Sequence, residues 1–156
     1  MTVNTKQVIG RRVVRYDSYA VLLEDARALA VSTIETRGNW SYGQILVHVA
    51  LSLDSSIDGV GFVLPAPMRW TMTLLMKRKF LDKALPPGFK TSEAYLPPSD
   101  SSVEHGLSLL QQAVDRQHQE SHRASHPAFG RISEREWTDF NLRHAEMHMS
   151  FVEQVL

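Results

Sequence analysis

The sequence contains no cysteine. That excludes disulfides, zinc–thiolate sites and a cysteine nucleophile. It carries no charge excess either: 17 Lys and Arg balance 17 Asp and Glu. Nucleic-acid-binding domains carry a basic excess or stripe. Here the only basic clusters are Arg11-Arg12 with Arg15, and Lys77-Arg78-Lys79, which have the size of solvated helix ends. No nucleic-acid partner is expected. Long apolar runs are missing as well. The most apolar later stretch, Val60 to Met76, is broken by Pro65, Pro67 and Arg69. It cannot form the continuous apolar helix of about 20 residues that spans a bilayer. Arg11-Arg12 is followed by Val13-Val14-Arg15-Tyr16-Asp17-Ser18, too polar for the apolar region of an export signal. The expectation is a cytoplasmic protein with no membrane partner. With 156 residues the chain supports one core, so residues 1–156 are read as a single domain.

What is present is helical periodicity. A first helix starts near Asp17 or Ser18, steps through Tyr19, Leu22, Leu23, Ala26, Leu29 and Ala30, and stops near Gly38. A second runs from about Ser41 to Asp58, with Leu46, Val49, Leu53 and Ile57 on one face. A third runs from about Ser101 to Ser121, with Val103, Leu107, Leu110 and Val114 inward. Gly106 inside it points to a close helix crossing, since Gly costs up to about 1 kcal/mol there relative to Ala. A fourth runs from about Ser133 to the C-terminus. Three of these starts read as capping boxes, Ser41 with Gln44, Ser101 with Glu104 and Ser133 with Glu136. A long crossover between the second and third helices holds a short helix, roughly Met68 to Leu85, and then Pro86-Pro87-Gly88 and Pro97-Pro98. The predicted fold is therefore all-α, with four principal helices and a crossover that allows a bundle other than up-down-up-down.

The fourth helix has an anomalous seam. Trp137, Asn141, His144, His148, Phe151 and Val155 step by four, three, four, three, four. A bundle helix turns such a seam toward its partners and wants apolar residues there. The centre is instead Asn-His-His. His144 and His148, one turn apart, lie about 5–6 Å from each other at Cβ, which suits chelation of one ion. His48, at the edge of the second helix's apolar face, can complete a three-imidazole site. Such a set suits Zn²⁺, Ni²⁺ or Fe²⁺, and three protein ligands leave a position open for water or substrate. Asn141 and Gln44, each one turn before a histidine, are candidates for an outer hydrogen bond or a substrate contact. His126, in the loop His126-Pro127-Ala128-Phe129-Gly130, is a candidate for the mouth of the site. The rival pair His118 and His122 has only polar neighbours and reads as a solvated helix end. His105 reads as surface.

These residues resemble a known family. Asn39-Trp40-Ser41-Tyr42-Gly43-Gln44-Ile45-Leu46-Val47-His48 is similar to the start of the second helix in DinB-like proteins. His126-Pro127-Ala128-Phe129-Gly130, Glu136-Trp137 and Arg143-His144-Ala145-Glu146-Met147-His148 resemble the last-helix region of one subgroup of that superfamily. The resemblance implies a four-helix bundle with a divalent metal on His48, His144 and His148, often built as a dimer. It also implies chemistry with a low-molecular-weight thiol, because characterised relatives include transferases and isomerases that use bacillithiol, mycothiol or glutathione.

The expected function is that of a metal-dependent enzyme acting on a small molecule, with thiol-assisted transfer or isomerisation ahead of hydrolysis. A chain without cysteine must borrow a thiol nucleophile. For hydrolysis no carboxylate base stands on the histidine seam: Glu146 points to another face, and Asp54 and Asp58 have no support. The remaining alternative is a non-catalytic binding or stress-response module whose metal holds helices together. Trp70, Met72, Leu74, Leu75, Met76 and Phe80 give the crossover helix more apolar surface than it easily hides, so a homodimer is expected.

Overall fold

The structure is a computed structural model and describes residues 2–89 and 91–155. Met1 and Leu156, the two ends of the predicted domain, lie outside the described residues. Among those described, the fold is mostly helical, with five α-helices and one small two-stranded sheet. The helices are α1 (Tyr19–Ala30), α2 (Tyr42–Asp58), α3 (Ala66–Asp82), α4 (Val103–Gln119) and α5 (Glu134–Met149). The strands are β1 (Ile34–Thr36) and β2 (Val152–Gln154), paired antiparallel with Glu35 opposite Glu153.

The apolar periodicity places the core. Leu22 and Ala26 of α1, Leu46, Val49 and Leu53 of α2, Leu110 of α4, and Ala145 and Met149 of α5 are fully buried in one cluster. A buried Leu or Val side chain contributes about 1.5–3 kcal/mol. The most extensive helix pair is α2 with α4, and Gly43 and Gly106 make it possible. A Cβ on Gly106 would sit 2.7 Å from the Leu46 Cβ and 3.0 Å from the Gly43 carbonyl oxygen. A Cβ on Gly43 would collide with the Ser101 backbone.

Several boundaries differ from the sequence reading. Both the Ser41/Gln44 and Ser133/Glu136 capping boxes form. The third does not: Ser102 is the N-cap of α4 and accepts from the His105 N–H, while the Ser101 hydroxyl donates to the Pro98 carbonyl. α1 ends at Ala30 rather than near Gly38, because Ile34–Thr36 leaves to form β1. α5 ends at Met149 rather than running on, because Val152–Gln154 is taken up as β2. Phe151 and Val155 are therefore not helical. The crossover helix is not short: α3 has 17 residues, as many as α2 and α4. It buries none of them fully. No helix among the described residues is long and apolar enough to cross a membrane.

Candidate metal centre and its cavity

The α2 capping box fixes where the helix starts and hence which way His48 points. His48 is buried, and its Nδ1 lies 2.8 Å from the Tyr95 carbonyl oxygen. A carbonyl only accepts, so Nδ1 carries the proton and Nε2 keeps its lone pair. Metal-ligating histidines are commonly oriented by such a bond from the second ring nitrogen.

Consecutive turns of α5 supply His144 and His148, whose Nε2 atoms stand 3.1 Å apart. One ring nitrogen from each of the three histidines lies within 4.8 Å of the others. Nitrogens about 2.0–2.1 Å from a common ion sit a little over 3 Å apart, so the donor set fits a metal. Aromatic rings fix the imidazoles from outside. Trp40 stacks on His148 at 5.4 Å between centroids and leans on His48 at 4.8 Å. Phe140, one turn before His144, lies parallel to it at 6.3 Å.

The environment keeps all three rings neutral. Burial lowers the His48 pKa, with the Tyr95 carbonyl opposing the shift. Burial pushes His144 down to about 3, and the neighbouring His48 adds to it. Burial, then His144 and His48, holds His148 well below its ordinary value. Metal ligation requires the neutral imidazole, so at neutral pH no proton has to leave first.

The imidazoles open onto a cavity of about 590 Å³. Its wall comes from α2, α3, α5 and the crossover, including Phe62, Phe80, Phe89 and Tyr95. Asn141 lines it and donates to the Tyr19 hydroxyl at 3.1 Å. His126 lines it too, but as a buried ring stacked on Phe129 rather than an open rim residue. Its Nδ1 accepts from the Ala128 and Phe129 N–H groups at 3.1 and 3.2 Å.

Gln44 does not reach the site. Its side-chain oxygen accepts from the Ser41 N–H to close the capping box, and it is not part of the cavity wall. The rival histidines stay apart from any cluster. His118 and His122 are exposed, and α4 ends at Gln119, so they no longer share a helix face. His105 is exposed. The candidate carboxylates are engaged elsewhere. Asp54 and Asp58 both contact Arg116. Glu146 is buried against Arg143 at 2.7 Å and accepts from the Tyr16 N–H.

Sequence reasoning gave no site role to Trp40, Phe140 or Tyr95. For Trp40 a signal existed: it precedes the Ser41 cap, where an apolar residue folds back on the first turn of its helix. Phe140 is four residues before His144, hence on its face. Tyr95 acts through its backbone, which leaves no side-chain signature.

Comparison with known proteins finds no matching curated protein and no matching solved structure. A family model does match, over residues 8–155, and its description is a protein of unknown function, DUF1569. The match spans every residue of the histidine cluster and nearly the whole chain, and the protein belongs to the DUF1569 family.

Proposed function

We propose that the protein is a metal-dependent enzyme that holds one divalent ion, Zn²⁺, Ni²⁺ or Fe²⁺, on His48, His144 and His148. The observation that carries this is the convergence of three neutral imidazoles on the wall of a cavity large enough for a substrate. Cavities of about 300–1,000 Å³ are those that take small molecules. Such an ion supplies a Lewis acid that lowers the pKa of a thiol or a water. The residues of the chain do the rest. Tyr95 orients His48, Trp40 and Phe140 keep the imidazoles in place, and Asn141 offers a fixed polar contact to a bound molecule.

Between the two chemistries, a low-molecular-weight thiol as borrowed nucleophile is the better supported. Hydrolysis calls for a general base beside the reacting water. Among the described residues, no carboxylate lines the cavity. The same reading makes α1, α2, α4 and α5 a DinB-like four-helix bundle with α3 in its crossover. It also places the enzyme in the cytoplasm as a homodimer, for which the exposed apolar face of α3 is the physical basis.

The test begins with metal analysis of the purified protein. The metal-loaded protein is then titrated with 2-mercaptoethanol, a small uncharged thiol, in a thermal-shift assay. A ligand at a hundredfold excess over its dissociation constant stabilises by about 2.7 kcal/mol. The melting temperature is expected to rise, and the rise to vanish in His148→Ala. No bound metal, or a rise that survives His148→Ala, would overturn the reading.

A further inference from the structure

The wall of the histidine cavity has a property that its size alone does not imply. Among the described residues, no Asp, Glu, Lys or Arg lines it. Its polar side chains among the described residues are neutral, with Ser52, Ser55, Ser92, Asn141 and the imidazoles among them. The rest is largely aromatic and aliphatic. Two of the aromatic rings, Phe62 and Phe89, are 56% and 66% exposed, so they hold apolar surface open to a ligand. Covering apolar area stabilises a bound ligand. A charged group moved into such a wall loses its hydration and finds no counter-ion among the described wall residues.

We propose that the ligand of this cavity is an uncharged, largely apolar, ring-bearing small molecule, with its one polar donor atom turned toward His48, His144 and His148. Only the clause about the donor atom rests on the metal reading above. Beside a divalent ion, an anionic donor such as a thiolate is compensated. Elsewhere the described wall residues offer no charged side chain to compensate one. Glutathione and coenzyme A carry charges remote from their sulfur and fit poorly on this ground. Besides Lys77, whose charge acts on His126, cations nearby include Lys6 and Arg11 of a second, smaller cavity of about 320 Å³, which shares Pro87, Gly88 and Phe89 with the first. A ligand with an anionic tail would have to reach it.

Two pairs of probes decide the matter: in the first the members differ by a distal carboxylate, in the second a carboxylate replaces a hydroxyl. Zinc-loaded protein is titrated calorimetrically with 2-phenylethanethiol and with 4-(2-mercaptoethyl)benzoate. Chelator-treated protein is titrated with 2-naphthol and 2-naphthoate, neither of which needs a metal. In each pair the neutral member is expected to bind at least about tenfold more tightly, a difference of 1.4 kcal/mol. Phe62→Ala, at an exposed position that leaves the core intact, is expected to weaken 2-naphthol by about fivefold, or roughly 1 kcal/mol. Carboxylates that bind as well as their neutral partners, or neutral probes that fail to bind at millimolar concentration, overturn the proposal. Failure of the metal reading looks different: zinc is not retained, yet 2-naphthol still outbinds 2-naphthoate.

Discussion

The Nε2 atoms of His144 and His148 face each other at 3.1 Å across one turn of α5. Two neutral imidazoles in that position have at most one N–H between them, and burial disfavours a second proton. A cation shared with His48 satisfies every lone pair at once. His144→Ala is therefore expected to reduce bound metal from about one ion per chain to a small fraction, since two ligands hold far less tightly than three. Elemental analysis after gel filtration at neutral pH reads this directly. His118→Ala, at an exposed position, should leave the stoichiometry unchanged. Retention in the first variant, or loss in the second, would move the site elsewhere.

The glycines at the α2–α4 crossing make a prediction about stability. Alanine is the better helix former by about 1 kcal/mol, so Gly106→Ala would stabilise an open surface. Here the added methyl meets the Leu46 Cβ at 2.7 Å, and Leu46 is fully buried. Overpacking of this kind costs about 1–3 kcal/mol, which outweighs the propensity gain. Gly43→Ala meets backbone rather than a side chain and should be worse. Urea denaturation is expected to show both variants destabilised, Gly43→Ala more so. An unchanged midpoint in Gly106→Ala would mean the helices do not cross this closely.

These cases show what the sequence makes legible. Features written in consecutive residues are readable: the apolar stripe of α2, the boxes at Ser41 and Ser133, the glycine at the crossing, the His-His break in the α5 seam. Features that need a distant partner are not. The step pattern through Phe151 and Val155 continues the helical period, yet the backbone there pairs with Ile34–Thr36, more than a hundred residues earlier. Ser101 and Ser102 are chemically equivalent caps, and the Pro98 carbonyl decides between them by engaging the first. The cavity wall, without a charged side chain among the described residues, is assembled from five separate stretches of chain, and no local pattern announces it.

The surface of α3 predicts association. Trp70 and Leu74, four residues apart on one face, are 71% and 69% exposed. Apolar patches of this kind on soluble chains are commonly covered by a partner. With a second copy as the partner, light scattering at micromolar concentration should give twice the chain mass. The double variant Trp70→Ser, Leu74→Ser should give the single mass with its helical circular dichroism retained. A single mass for the unaltered protein would remove the dimer.

His126 predicts a pH dependence separable from the metal centre. Burial, with a smaller contribution from the charge of Lys77, lowers its pKa from 6.5 to about 4. A proton on Nδ1 would also displace the two backbone N–H groups that it accepts. Lys77 keeps its charge partner throughout, since Glu136 pairs with it at 2.6 Å and has its own pKa lowered by that contact. The unfolded chain therefore binds a proton at His126 before the folded chain does. Stability from this group is complete above pH 6.5 and falls as the pH drops toward 4, by about 3 kcal/mol if the full shift is realised. His126→Asn places an amide oxygen where Nδ1 stood and does not titrate. Urea denaturation of the two proteins between pH 7.5 and 4.5, about the range over which a histidine of ordinary pKa titrates, isolates the term, because every other histidine is common to both. The unaltered protein should lose stability on acidification faster than His126→Asn. Parallel curves would show that His126 does not carry the shift.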